Sequence, residues 1–411
     1  MNKDSKFRIE PPFEEISGGA TAPEGFLAGG IACGVRGGSG LDLGLLYSES
    51  PCVSAGVYTR NAFKGAPVGV TQEAVGAGAV RTIIANSGNA NAATGEPGIE
   101  DAKAMQEAAG RALGLSSREV AVASTGVIGE RMPVGRIEES IPEVAGQLRR
   151  DGSALAEAIL TTDTRTKEAA VRVPLGGGHV TVGGVAKGSG MIHPNMGTML
   201  AFLTTDAAVD RDCLEETLCR AVDASFNRVT VDGDTSPSDM ALLLANGAAG
   251  NEPLGVDSHE YPAFVEAVET VTKRLAKEIA RDGEGAAKLV EATVEGARSD
   301  EQAAALAKAI VGSSLVKAAI AGEDANWGRV LVALGYSGAE FDPAGLTLYF
   351  GGVKVFENGE PAAHDEAAAN HALSGDEVGI TAVIEGGNAS ATAWGCDLTY
   401  EYVRINGSYR T

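Results

Sequence analysis

Phe264, Val268, Val271, Leu275 and Ile279 follow one another at intervals of 4, 3, 4 and 4 residues, which lays all five along one face of a helix. A helix with one apolar stripe is stable only when that stripe lies on another element. The stretches available to receive it are short. FLAGGIACGV, GVYTR and VRTIIANSGNAN are strand-like runs divided by glycine turns. LTLYF, VKVF closing on Asn358-Gly359, VGITAVI and the long alternating ATAWGCDLTYEYVRI read as strands toward the C-terminus. They mix with helices without a regular βαβ beat. The expected architecture is therefore α/β of the α+β type, mixed β-sheets with outer helices. The 411 residues suffice for two domains or one large layered body.

Local signals set some boundaries. The long helix is expected to end at Asp282-Gly283, with the glycine at its C-cap. Another helix is expected to begin at Ser299, whose S-x-x-Q run to Gln302 has the form of a capping box. DAKAMQEAAGRALG, acidic at its start and apolar at Met105, Ala108 and Leu113, reads as a helix. VAVAS reads as a strand that runs into the turn Thr125-Gly126. AILTTDT (158–164) and AFLTTDA (201–207) resemble each other, and both read as strand ends with polar exits. The 55 glycines carry no collagen period, so tight turns and close backbone approaches are expected. No low-complexity linker divides the chain.

Charge narrows the function. The chain has 33 basic and 55 acidic side chains, a formal net of −22, which opposes unspecific binding to nucleic acid or to an anionic membrane and favours small-molecule chemistry. Cys33, Cys52, Cys213, Cys219 and Cys396 form no C-x-x-C pair and read as reduced, mostly buried thiols. MNKDSKFRIE has no apolar core and no run of 18 apolar residues occurs, so a soluble, cytoplasmic protein is expected.

Familiar sites are missing: there is no phosphate loop, because Lys187 precedes its glycines, no G-x-G-x-x-G and no G-x-S-x-G. Asp232, Asp234 and Asp239 imitate a calcium loop, but Leu243 stands where the bidentate Glu belongs, and a structural turn is expected instead. His364 and His371 are seven residues apart, which is no zinc spacing, and read as a surface helix. No metal is expected.

The segment KGSGMIHPNMGTMLAFLTTDA (187–207) is different. A string of loop formers ends in Gly197-Thr198 and turns at once into a buried strand. A hydroxyl is a weak nucleophile at neutral pH and needs a base. Threonine can supply its own if it becomes the first residue of a chain, because its α-amine, with a pKa near ~8, can then take the proton. Attack of the Thr198 hydroxyl on the Gly197 carbonyl, followed by hydrolysis of the ester, would reach that state. Gly197 gives the carbonyl room to be approached, and Pro194 and Asn195 stiffen the loop that presents it.

Lys187-Gly188-Ser189-Gly190-Met191-Ile192 and Pro194-Asn195-Met196-Gly197-Thr198-Met199-Leu200 resemble the self-cleavage signature of the ornithine acetyltransferases, the ArgJ family of arginine biosynthesis. ANSGNANAATG (85–95), ASTGVIGE (123–130), ILTTDT (159–164), SFNRVTVDGDTS (225–236), SSLVKAAIAGEDANWGR (313–329) and YVRINGSYRT (402–411) are similar to family blocks in the same order. Two departures stand out: Gly197 where the family usually has Ala, and Ala93 or its neighbour where it usually has Cys.

The resemblance implies a self-processing fold like that of the DmpA and ArgJ proteins, cut into an α-chain 1–197 and a β-chain 198–411 that stay together. It implies that Thr198 carries the acetyl group from N2-acetylornithine to glutamate, with the Thr125 hydroxyl and the Gly126 N–H as oxyanion donors. It implies substrate contacts at Thr161, Lys187, Thr198, Glu284, Asn406 and Thr411. By residue type, Lys187 suits an α-carboxylate and Glu284 an ornithine ammonium; Thr162 and Thr164 remain rivals of Thr161. No bound cofactor is implied, acetyl-CoA is admitted as a further donor, and an α2β2 heterotetramer is the family's assembly. Two alternatives stay open: an aminopeptidase or amidase with an N-terminal threonine, and a binding protein without catalysis.

Overall fold

The computed structural model describes residues 13–38, 40–175, 177–193 and 199–408; Gly197, Thr198 and Thr411 lie outside them. The apolar run after Met199 is explained by its place. Strand Leu200–Thr205 lies inside a six-stranded mixed sheet ordered Glu14–Glu15, Lys167–Leu175, Gly178–Lys187, Leu200–Thr205, Met240–Ala245, Val53–Tyr58. It runs antiparallel to Gly178–Lys187 and parallel to Met240–Ala245. Leu200 and Phe202 enter one core while Ala201 and Leu203 enter another. A strand covered on both faces has no polar alternation to display.

On one face lies the long helix, Tyr261–Arg281, beside Arg211–Ala224. Phe264, Val268, Val271, Leu275 and Ile279 all join the core that holds Ala201 and Leu203. Each such side chain contributes about 2 kcal/mol by leaving water. Against the other face packs a four-stranded sheet, Phe26–Ile31, Leu43–Ser48, Thr82–Asn86 and Val120–Ser124. Phe26, Leu46, Ile83, Val185, Phe202 and Leu242 fill the space between the two sheets. Helices Gly95–Leu113 and Val134–Gly146 close the outer side of the smaller sheet.

A second six-stranded sheet, ordered Glu360–Pro361, Val353–Glu357, Thr347–Phe350, Glu377–Val383, Leu289–Ala297, Ala389–Cys396, forms its own core with helices Asp300–Gly312, Ser314–Ala321 and Trp327–Gly335. Among the described residues no single helix is long and apolar enough to cross a membrane. The bent pair Asp300–Gly312 and Ser314–Ala321 is apolar because Leu306, Ile310, Val316 and Ile320 are core residues.

Four local expectations are corrected. The alternating run ATAWGCDLTYEYVRI is a strand only over Ala389–Cys396 and then becomes a helix, Tyr400–Ser408. The switch is made by polar groups: Asp397 Oδ1 accepts the Ala287 and Lys288 N–H groups, and Thr399 Oγ1 accepts from Glu401 N while donating to Gly285 O. AILTTDT leaves a short helix, Ser153–Ala158, rather than a strand. The long helix is capped by Asp282 at φ −95°, not by a left-handed glycine. Gly283 is small for another reason, since a Cβ there would lie 2.6 Å from Cys396 Sγ. Ser299 caps its helix by accepting from Gln302 N, but the Gln302 side chain accepts from Arg298 N instead of closing the box. Of the cysteines, Cys219 is exposed and Cys33 half-buried.

Candidate functional site

A cavity of about 190 Å³ opens between strand ends of the first six-stranded sheet, the exit of the four-stranded sheet, the turn after the long helix and the terminal helix. Lys187 and Leu200 come from the ends of adjacent strands, Thr125 and Gly126 from the exit of the smaller sheet, and Glu284 from the turn after the long helix. Tyr402 and Asn406 project from the terminal helix. The segment holding Gly197-Thr198 is bracketed by lining residues, Met191 and Ile192 before it and Met199 and Leu200 after it.

Lys187 is 7% exposed. Its ammonium donates to Thr161 Oγ1 at 2.7 Å and reaches Thr125 Oγ1 at 3.5 Å, with Asp163 Oδ2 at 3.7 Å. Burial pulls its pKa below the ordinary lysine value, and Asp163 opposes that pull. Asp163 is the hub beneath it. Its carboxylate accepts from Thr161 N (3.1 Å), Gly188 N (2.7 Å) and Lys167 Nζ (2.7 Å). Burial alone would raise its pKa, but Lys187 and Lys167 outweigh this and hold it well below the carboxylate range. Lys167, itself fully buried, spans to Asp282 at 2.6 Å, and Asp282 takes the hydroxyl of Thr164. The geometry therefore separates the three threonines: Thr161 meets Lys187, Thr164 is spent on Asp282, and Thr162 lines the cavity.

Thr125-Gly126 owes its shape to the loop ANSGNAN. Thr125 N donates to Asn86 O, Ser124 Oγ donates to Asn86 Oδ1 at 2.6 Å, and Asn86 Nδ2 spans to Asn89 O. Gly126 has φ +130° and passes so close to Gly88 that a Cβ would stand 2.4 Å from its carbonyl carbon. No other residue type fits. Among the described residues nothing accepts the Gly126 N–H, and it borders the cavity. An ammonium is a donor only, so the contact from Lys187 leaves the Thr125 hydroxyl proton free to point at a ligand. A hydroxyl, an N–H and a cation around one space can bind a negative charge that develops on oxygen.

The opposite wall is acidic. Glu284, 6% exposed, accepts from Asn406 Nδ2 at 2.7 Å, so the terminal helix is tied to the cavity through these two side chains. Asp232 accepts from Met191 N (2.7 Å) and Ile192 N (2.9 Å), and Thr235 Oγ1 donates to His193 O (2.9 Å). The loop that imitates a calcium site is thus a clamp on the stretch before Gly197-Thr198. It holds Met191 at φ +54°, a strained angle for a side chain of that size. Burial lowers the His193 pKa to about 4, so at neutral pH the ring is uncharged beside Thr230.

Thr125, Gly126, Thr161, Lys187, Glu284 and Asn406 thus come together in one cavity. Asp163, Lys167, Asp282 and the clamping role of Asp232 had no signal in the sequence. Beside the short-range bonds of Asp163 to Thr161 N and Lys167, their contacts to Gly188, Met191, Thr164 and across Lys167–Asp282 span 25 to 118 positions of chain, which no local pattern encodes.

A cation and two donors with no acceptor among the described residues, gathered around one cavity of a mixed-sheet fold, are the equipment of an acyl-transfer enzyme. The chain belongs to the ArgJ family, whose model matches residues 27–411. It is 55% identical over 401 residues to the arginine biosynthesis bifunctional protein ArgJ of Symbiobacterium thermophilum, covering 97% of this chain and 100% of that protein. Among solved structures, the ArgJ of Bacillus halodurans shares 46% identity with a TM-score of 0.50, covering 51% of this chain and 98% of that one. Ornithine acetyltransferase of Mycobacterium tuberculosis, solved with ornithine, shares 39% identity at a TM-score of 0.42, covering 44% and 98%.

Proposed function

We propose that this chain is the acetyltransferase of arginine biosynthesis that moves the acetyl group of N2-acetylornithine to glutamate through Thr198, after cutting itself between Gly197 and Thr198. The observation that carries the reading is the Lys187–Thr161–Thr125 cluster, in a cavity that is also lined by Ile192 and Met199. The family supplies the reaction, since relatives at 55% identity along their whole length are bifunctional proteins of arginine biosynthesis. The solved Bacillus halodurans chain aligns over 98% of itself with about half of this one, as a subunit of a cut precursor would. In this reading the Thr198 hydroxyl attacks the acetyl carbonyl, and Gly126 N–H and Thr125 hold the oxyanion. Each such donor is worth about 3 kcal/mol. Lys187 and Thr161 receive the amino acid's α-carboxylate, which would also restore the charge that burial disfavours. Glu284 and Asn406 face the side chain, and the family resemblance adds Thr411 as a further substrate contact. The enzyme works in the cytoplasm as an α2β2 assembly, holds no resident cofactor and accepts acetyl-CoA as a second donor.

Intact-mass analysis tests the first half: purified chain is expected as fragments 1–197 and 198–411, and Thr198→Ala as one piece. Kinetics test the second: ornithine release from N2-acetylornithine should depend on added glutamate. A chain that stays whole yet transfers acetyl groups, or release at full rate into water alone, would overturn the proposal. The latter result would favour an amidase.

A further inference from the structure

The turn VDGDTSPSD ends in a residue whose side chain joins neither the hydrogen bonds of the clamp nor those of the cation cluster described above, although its charge bears on Lys187. Asp239 is 3% exposed and lines the cavity, yet its Oδ2 is buried without a hydrogen-bond partner among the described residues. An orphaned buried carboxyl oxygen is costly and is kept only where something rewards it. Its position is fixed by the sheet: the Thr59 N–H binds the Asp239 carbonyl, and the next residue, Met240, donates its N–H to the carbonyl of Met199. Asp239 therefore stands just before the strand Met240–Ala245, whose first residue is bonded to Met199, the residue that follows Thr198 in the chain.

We propose that Asp239 is the acid–base group for the substrate nitrogen. This rests on the function proposed above and divides the proton work between two groups. The Thr198 amine takes the hydroxyl proton as oxygen attacks the acetyl carbon. The neutral Asp239 carboxyl then gives its proton to the amide nitrogen as the C–N bond breaks and ornithine leaves. In the second half, the uncharged amine of glutamate attacks the ester, its nitrogen loses a proton to the Asp239 carboxylate, and the departing Thr198 oxygen recovers one from the α-ammonium. Across the two halves Asp239 and the amine each return to their starting state. Burial raises the Asp239 pKa well above the ordinary carboxylate value, against the opposing effects of Ser236 and Lys187, which keeps a proton available to give.

The test uses an acetyl donor that needs no proton on its leaving atom. p-Nitrophenyl acetate carries a leaving group that departs as an anion. With Asp239→Asn, acetylation of Thr198 by p-nitrophenyl acetate is expected to stay within threefold of wild type. Acetylation by N2-acetylornithine and discharge by glutamate should each fall about 100-fold or more. Equal slowing of all three steps would mark a structural role, and unchanged glutamate discharge no role; either overturns the proposal. A folded variant that remains uncut would assign Asp239 to self-cleavage and overturn it as well. If the Asn variant does not fold, Asp239→Ala carries the test through formate: glutamate discharge that rises with formate supports the proposal, and discharge indifferent to it overturns it. Wild-type protein that never acquires an acetyl group on Thr198 would bring down the proposed function itself, and this inference with it.

Discussion

At the scale of single residues, the site depends on keeping two positive charges out of water. Lys187 and Lys167 are both buried, and Asp163 touches both. Breaking such a pair costs more than the pair is worth, because a charge is left alone in a poor solvent. Asp163→Asn should therefore destabilise the protein by about 3 kcal/mol at neutral pH, read from denaturant unfolding. The pH dependence has a definite sign. Asp163 has a depressed folded pKa, so its stabilisation is complete above the unfolded value, near ~4, and is lost as pH falls below that toward the folded value. Wild type should lose stability between about pH 4 and pH 2, whereas the Asn variant, already without this contribution, should show a flatter acid limb. Lys187→Met acts on the ligand instead. In the proposed reading it removes the cation offered to the α-carboxylate, and KM for N2-acetylornithine should rise about 10- to 100-fold with the fold intact by circular dichroism.

At the scale of elements, the terminal helix Tyr400–Ser408 is the exposed wall of the cavity. It buries none of its residues, and Tyr400 is 96% exposed, so packing does not hold it. It is held by the Thr399 hydroxyl on Gly285 O and by the Asn406–Glu284 bond. Gly285 has φ +71°, and a Cβ there would stand 2.5 Å from Tyr402 N. Gly285→Ala should push the helix off the cavity. Activity is expected to fall about 100-fold, the cost of misplacing site groups by an ångström, while the thermal midpoint drops only a few degrees. A variant with full activity would show that the helix does not shape the site. The same helix shows where sequence reading stops. An apolar stripe announces a helix only if the stripe is buried, which is why Phe264 to Ile279 were legible and YEYVRINGS was not. The cavity residues were legible through family likeness, which places Lys187, Thr161 and Glu284 without explaining their positions. Asp163 and Asp282 were not, because their partners are chosen by the crossing of the strand ending at Lys187 with the helix ending at Arg281. That is a property of topology rather than of any local run.

At the scale of the molecule, the question is what a cut between Gly197 and Thr198 would do to the fold. The central sheet answers through its strand order. Leu200–Thr205 and Met240–Ala245, downstream of the cut, lie between Gly178–Lys187 and Val53–Tyr58, both upstream. Each downstream strand is hydrogen-bonded to an upstream neighbour, in registers that run from Lys187↔Leu200 to Val182↔Thr205 and from Met240↔Tyr58 to Ala245↔Val53. The two cores on either face of the sheet also mix the halves: Val185 packs with Phe202 and Leu242, and Val57 with Leu203 and Leu243. Neither fragment could leave without exposing both cores and two rows of backbone donors and acceptors, at a cost far above the marginal stability of a domain. Cleavage at that bond would therefore free an amine without freeing a subunit. Fragments 1–197 and 198–411 should elute together from size-exclusion columns in native buffer at any protein concentration. They should lose structure in a single transition that follows both near-ultraviolet and far-ultraviolet signals, and separate only in denaturant. Two resolved transitions, or a fragment that elutes alone in native buffer, would show that the halves fold separately. The interleaved strands would then hold Thr198 in place only by association, and Lys187, from one half, would meet Glu284, from the other, only while both remained bound.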